Sequence, residues 1–265
     1  MPKIEVNGVE LYYELRGPAD AEVIVLSNGV LMSTASWGLQ KAPLSRRHQL
    51  LLYDCRGMWQ SQHPAGPYSM EQHADDLAAL MSALNIPKAH VAGISYGGEV
   101  SLVFALKYPQ MTKSLIISSA VSHSEPVLRG LIDAWSAAAR ANHPQLLYQV
   151  TYPLNFSSAY IAANRAAMDA AAARYNQLDM AAVLELFNCF QRLDITADLH
   201  RIQKPTLVMV GEEDILKPRY YSEIIAREIT GAELVVVPGS GHALCLEKPT
   251  LFNTLLLGFV EQLNG

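Results

Sequence analysis

Three residues in this chain have the types and surroundings needed for nucleophilic attack on an acyl carbon. Ser95 sits in Gly93-Ile94-Ser95-Tyr96-Gly97, after the apolar run His90-Val91-Ala92 and ahead of a stretch of helical character from Glu99 to Tyr108. Gly-x-Ser-x-Gly between a strand and a helix marks a sharp turn that lifts a serine hydroxyl above a sheet edge. Such a hydroxyl needs a base, and the base needs an orienting carboxylate. His242 suits the base. It lies in Gly239-Ser240-Gly241-His242, directly after the apolar run Leu234 to Val237, so it belongs to a loop at the edge where Ser95 is expected. Asp214 suits the carboxylate, since it follows the run Leu207 to Val210 and precedes Ile215-Leu216-Lys217-Pro218. Glu212 and Glu213 compete for that role. Of the remaining histidines, His63 and His123 follow strand ends and are the two expected near the site. The oxyanion of an attacked carbonyl is expected on two backbone NH groups, those of Tyr96 and Val30, with Gly29 letting the Ser27-Asn28-Gly29-Val30 loop approach.

The elements that must position these residues alternate along the chain. Residues 3 to 7 and 10 to 16 read as strands joined at Asn7-Gly8, a hairpin signal. Short apolar runs at Val23 to Leu26, Leu50 to Tyr53, Val91 to Ile94, Ser114 to Ser118, Thr206 to Val210 and Leu234 to Val237 have the form of buried parallel strands. Ser69-Met70-Glu71-Gln72 carries a capping-box pattern ahead of Leu77, Leu80, Met81 and Leu84 at helical spacing. Helices are expected from about Arg219 to Ile229 and from Pro249. This alternation predicts an α/β fold, a mostly parallel sheet covered on both faces, with ligands at the carboxyl ends of the strands. Residues 121 to 200 break the pattern: they are alanine-rich, show no strand run, and draw their lysine and arginine charges from arginine alone. The division expected is a core of residues 1–120 and 201–265 with a helical cap inserted at 121–200. Trp135, Tyr152 and Phe187 are candidates for the underside of that cap.

Composition narrows the function classes. Half of the 265 residues are apolar, 17% are charged and the net charge is −5, with no Lys/Arg block, so a polyanion such as nucleic acid is not an expected partner. No apolar run approaches the roughly 20 residues of a membrane helix, and the amino-terminal segment lacks an apolar leader pattern. A cytoplasmic location is expected. Cys55, Cys189 and Cys245 are far apart and odd in number, which reads as free buried thiols. No metal and no cofactor is expected: His-Glu-x-x-His and Gly-Lys-Ser/Thr are absent, and Gly239-Ser240-Gly241 lacks the third glycine of a dinucleotide fingerprint.

These motifs together resemble the α/β-hydrolase superfamily over nearly the whole chain. Besides the serine turn, Asp54-Cys55-Arg56-Gly57-Met58-Trp59-Gln60-Ser61 is similar to the family's Asp-x-Arg-Gly-x-Gly-x-Ser loop, and Gly241-His242 with Glu247-Lys248-Pro249 and Phe252 is similar to its closing segment. Ser27-Asn28-Gly29 resembles a segment of 3-oxoadipate enol-lactonases, and Asn28-Gly29-Val30 with Thr34-Ala35-Ser36-Trp37 resembles bacterial 3-hydroxyacyl transferases. Trp59 stands where the family has a glycine and is expected to narrow the pocket mouth, and Asn28 is a candidate substrate contact. The resemblance implies a serine hydrolase of a carboxylic ester, thioester or lactone, with a small-molecule substrate. An acyl carrier is the partner if the protein is instead a transferase. A cofactor-free haloperoxidase or perhydrolase, and a non-catalytic receptor on the same fold, are the other readings.

Overall fold

A computed structural model describes residues 2–263. Eight strands form one sheet in the order β1-β2-β4-β3-β5-β6-β7-β8. They are β1 (Lys3–Val6), β2 (Val9–Arg16), β3 (Val23–Ser27), β4 (Gln49–Tyr53), β5 (Ala89–Ile94), β6 (Thr112–Ser118), β7 (Thr206–Gly211) and β8 (Glu233–Val237). The β1–β2 and β2–β4 pairs are antiparallel and every later pair is parallel. The hairpin expected at Asn7-Gly8 is present, with Val6 opposite Val9 and positive φ at both turn residues (50° and 70°), as a two-residue turn between twisted strands requires.

Among the described residues the ten α-helices are α1 (Gly38–Leu44), α2 (Met70–Ala83), α3 (Tyr96–Lys107), α4 (Pro126–Arg140), α5 (Pro144–Asn155), α6 (Ser158–Ala172), α7 (Met180–Gln191), α8 (Arg219–Glu228), α9 (Leu244–Glu247) and α10 (Pro249–Gln262). Alternate residues of each central strand feed opposite faces of the sheet. Val25, Leu51, Val91, Leu115 and Val208 pack with α2, α3 and α8, whereas Ile24, Leu50, Ala92, Ile116 and Leu207 pack with Trp37, Leu44 and α10. A strand buried on both sides has no polar face to alternate, which is why these runs are continuously apolar. α1 and the short α9 have too few periodic apolar positions to announce themselves in the sequence. At α2 half of the capping box forms: Ser69 Oγ accepts from the Gln72 NH at 3.1 Å, while Gln72 Oε1 is buried without a partner.

Between β6 and β7 the chain passes through α4 to α7. It leaves and returns through a short antiparallel stem, in which the Ile195 NH donates to the Ser122 carbonyl at 2.8 Å and the Ser124 NH to the Leu193 carbonyl at 3.2 Å. Each helix begins on a local signal: Pro126 and Pro144 occupy first-turn positions, Ser157 Oγ accepts from the Tyr160 NH, and Asp179 accepts from the Ala181 and Ala182 NH groups. These side chains satisfy amides that a helix start leaves open.

Candidate active site

Ser95 joins β5 to α3 with φ 54° and ψ −121°, a conformation that costs a non-glycine residue about 1–3 kcal/mol and persists only where the surroundings enforce it. The enforcement is visible. The Ser95 NH donates to the Ser118 carbonyl at 2.8 Å, and the Ser95 carbonyl accepts from the Gly98 and Glu99 NH groups that open α3. Gly93 and Gly97 are required by close approach: a Cβ on Gly93 would collide with the Gly97 carbonyl, and one on Gly97 with the Ser27 carbonyl. The two glycines of the pentapeptide therefore serve packing, and the serine takes the strain.

Loops from two later strands converge on Ser95. His242 and Asp214 meet through Nδ1 and Oδ2 at 2.8 Å. The other carboxylate oxygen of Asp214 accepts from the Leu216 and Lys217 NH groups at 3.1 and 2.8 Å, which aims Oδ2 at the imidazole. Glu212 and Glu213 are exposed, and Glu212 instead accepts from the Gly239 NH. The histidine loop is held from below: Glu247 Oε1 accepts from the Gly241 NH at 2.9 Å, and the Ala243 NH donates to the Asn155 carbonyl at 2.8 Å.

Ser95, Tyr96, Val30 and His242 border one cavity of about 230 Å³. Tyr96 is the first residue of α3, where amides lack intrahelical acceptors and the helix dipole favours negative charge. Its side chain points away from the cavity chemistry, its hydroxyl bonded to His73 Nε2 at 2.7 Å. Burial, with Arg56 adding to it, pulls the His73 pKa down to about 3, so that ring is neutral. The helical wall presents Leu128, Ile132, Trp135, Tyr152 and Phe187. Trp135 packs on Phe187 with ring centroids 5.8 Å apart and donates its indole NH to the Val150 carbonyl. Trp59 also lines the cavity. Its φ of 44° explains why the related loops favour glycine there, and Arg174 lies over its ring at 4.8 Å.

Asn28 is not a substrate contact. It is fully buried and spent on the framework: its amide donates to the Tyr53 carbonyl and to Asp54, both at 3.0 Å, and its Oδ1 accepts from the Trp37 indole at 2.7 Å. Asp54, which also accepts from the Thr34 and Gln60 NH groups, has its pKa pushed up to about 6 by burial. His63 and His123 lie outside the cavity, His63 against Asp179 and His123 against Thr196 and Glu125. The three cysteines are free and buried, and burial raises Cys55 and Cys245 to about 12 and Cys189 to about 11. None is a thiolate nucleophile. Among the described residues no group of three or more His, Cys, Asp or Glu side chains is arranged to hold a metal ion, and no helix is long and apolar enough to cross a membrane.

One contact had no counterpart in the sequence reading. Lys217 Nζ donates to Ser95 Oγ at 3.1 Å and pairs with Glu99 Oε1 at 2.7 Å, with both side chains buried and the Phe190 ring centroid 4.7 Å from the ammonium. Burial raises the Glu99 carboxyl above its ordinary range, while Lys217 and the Val121 NH pull it back. Glu99 is an isolated acid in an otherwise apolar helical stretch, and Lys217 follows Asp214 by three residues. Those two oddities were the available signal.

Comparison with known proteins identifies the family. Residues 22–249 match the family model described as the alpha/beta hydrolase fold. The chain belongs to that family. This hydrolase is 32% identical over 268 residues to a protein of Pantoea ananatis provisionally named carbamate hydrolase RutD, covering 95% of the chain and 94% of that protein. It superposes on MGS-M2, an alpha/beta hydrolase enzyme from a Medee basin deep-sea metagenome library, with TM-score 0.94, 30% identity and coverage of 98% and 97%. The enol-lactonase of Burkholderia xenovorans aligns with TM-score 0.92, 25% identity and coverage of 98% and 100%.

Proposed function

We propose that this hydrolase cleaves a carboxylic ester, thioester or lactone through an acyl-enzyme on Ser95, with His242 as general base and acid and Asp214 as its orienting partner. The observation that carries the reading is the convergence on one cavity of a strained serine at a strand's carboxyl end and an imidazole whose Nδ1 is fixed at 2.8 Å by a carboxylate. A carboxylate on Nδ1 leaves Nε2 as the nitrogen free to exchange protons. Ser95 Oγ attacks the carbonyl carbon as His242 takes its proton, and the oxyanion settles on the Tyr96 and Val30 NH groups. Collapse expels the alcohol, thiol or ring oxygen, which receives the proton from His242. Water, activated by the same imidazole, then releases the acid.

Residues 121–200 act as a cap that selects the acyl group. Its cavity wall is aliphatic and aromatic, which favours a small or medium, largely apolar acyl chain. A carbamate is the second reading, and it rests on the identity to the protein named carbamate hydrolase; the same machinery serves an acyl carbon bearing nitrogen.

The test is a panel of p-nitrophenyl esters of increasing chain length, lactones and carbamates, with fluorophosphonate labelling, on wild type and Ser95→Ala. Labelling and turnover should both disappear in the variant, with rate losses on the order of 10⁶-fold. Turnover that survives Ser95→Ala would remove the serine from the mechanism, and a charged dianionic lactone as best substrate would overturn the assignment of the cap.

A further inference from the structure

A serine nucleophile ordinarily has one polar neighbour that matters, the imidazole. Here a second group reaches it. Lys217 Nζ lies 3.1 Å from Ser95 Oγ and makes the one side-chain hydrogen bond to that oxygen among the described residues. The ammonium is held at 2.7 Å by the Glu99 carboxylate and sits over the face of Phe190 at 4.7 Å, two neighbours that favour a cation. Burying such a pair is expensive unless its geometry is good and it has a use. The elements that aim it are fixed: Glu99 stands one helical turn past Ser95 and also anchors the Val121 NH, and the Lys217 NH is bound to Asp214.

The geometry points to Lys217 as a further catalytic residue, an ammonium on the nucleophile oxygen that accelerates release of the acyl group from Ser95, with Glu99 as its positioning residue. This inference rests on the acyl-serine reading above. A hydroxyl oxygen accepts a hydrogen bond from an ammonium better than the alkoxy oxygen of an ester does, because ester resonance withdraws electron density from that oxygen. Acylation therefore weakens the Lys217 contact, which raises the acyl-enzyme relative to free Ser95. In deacylation, water adds to the acyl carbon while His242 takes one of its protons. The carbon–Oγ bond then breaks, its electron pair stays on Oγ, and the imidazolium returns the proton to Oγ. Lys217 donates a hydrogen bond to Oγ as charge gathers there and gives up no proton. The same contact tempers Oγ as an attacking group, so its benefit is confined to the second half of the cycle. It counts most for acyl groups that leave serine slowly, such as carbamoyl and branched acyl groups, whose carbonyl carbon is electron-rich or crowded.

Two variants test this: Lys217→Met, and Glu99→Gln combined with Lys217→Met, which removes both buried charges at nearly constant volume and protects the fold. Stopped-flow hydrolysis of p-nitrophenyl acetate separates acylation from deacylation through the burst. Recovery after p-nitrophenyl dimethylcarbamate measures release of a slow acyl group. Thermal unfolding checks that each variant is folded. A hydrogen bond to a charged group corresponds to a loss of about 10- to 100-fold in deacylation, with the burst approaching one equivalent per protein and kcat/KM held within about threefold. Deacylation unchanged in the folded double variant overturns the proposal, as does an equal fall in acylation and deacylation, which would make the lysine a base or a structural strut. Failure of wild type to form any covalent adduct with ester or fluorophosphonate overturns the acyl-serine reading and this inference with it, whereas a labelled wild type with Lys217-independent recovery overturns this inference alone.

Discussion

On the sheet side of the cavity the groups that set the site are bound to one another. Asp214 accepts from two backbone amides and faces His242, Asp54 accepts from Asn28, Thr34 and Gln60, and Arg56 grips Asp76 through two contacts of 2.5 and 2.6 Å. On the helical side the wall is mostly rings and aliphatic chains that touch by packing, with Asn155 a polar exception and Arg174 the one charged residue of that segment at the cavity. Hydrogen bonds fix direction to within tenths of an ångström and tolerate few substitutions, whereas apolar packing fixes volume and tolerates exchange at constant size. Chemistry and selection are therefore separable by mutation. Changes on the sheet side should alter rate with any substrate, and changes on the helical side should alter which substrate is best.

The largest break in that contrast is expected at Asp214. In Asp214→Asn the amide can still fill the site, but it no longer favours the tautomer that leaves Nε2 basic, and kcat should fall about 10⁴-fold with KM little changed. Steady-state kinetics on one short and one long p-nitrophenyl ester should show equal losses for both. A loss confined to one ester would contradict the separation. On the opposite wall, Phe187 is 1% exposed and packs on Trp135. Phe187→Ala should lower stability by about 3–5 kcal/mol in denaturant unfolding and move the chain-length optimum to longer acyl groups. A uniform drop across the ester series, with no change of optimum, would place Phe187 in the fold alone.

The same contrast decides what was legible in the sequence. The parallel sheet was legible because strands buried on both faces leave continuous apolar runs, and the loops carrying Ser95, Asp214 and His242 follow those runs at their carboxyl ends. Residues 121 to 200 were legible as helical through their alanine content and the lack of any strand run, but not the stem that ties the segment's ends, since a two-rung ladder leaves no periodic pattern. Asn28 was misjudged because sequence gives the loop and not the direction of its side chain. In the structure that side chain turns inward to Tyr53, Asp54 and Trp37. Lys217 and Glu99 escaped for a different reason: they are 118 residues apart, and a buried ion pair is a fact about a helix and a loop folded together, whereas each charge alone reads as solvated surface.

His73 offers the most selective probe of the sheet side, because it sits behind Tyr96 and titrates. Its ring is buried and its pKa lies near 3, against an ordinary value of 6.5, because burial and the neighbouring Arg56 cation both oppose protonation. A histidine depressed in the fold binds its proton more tightly when unfolded. Its contribution to stability is therefore complete above about pH 6.5 and is lost as pH falls toward 3, with a slope of up to about 1.4 kcal/mol per pH unit. His73→Gln removes that titration. The difference between wild-type and variant unfolding free energies should be flat above pH 7, and below pH 6.5 wild type should lose stability faster than the variant. The helical wall supplies a control, since neither phenylalanine nor leucine titrates: Phe187→Leu should shift the whole curve by a constant amount. A parallel offset for His73→Gln as well would mean that the ring titrates alike in the folded and unfolded chain, and that burial behind Tyr96 does not keep it neutral.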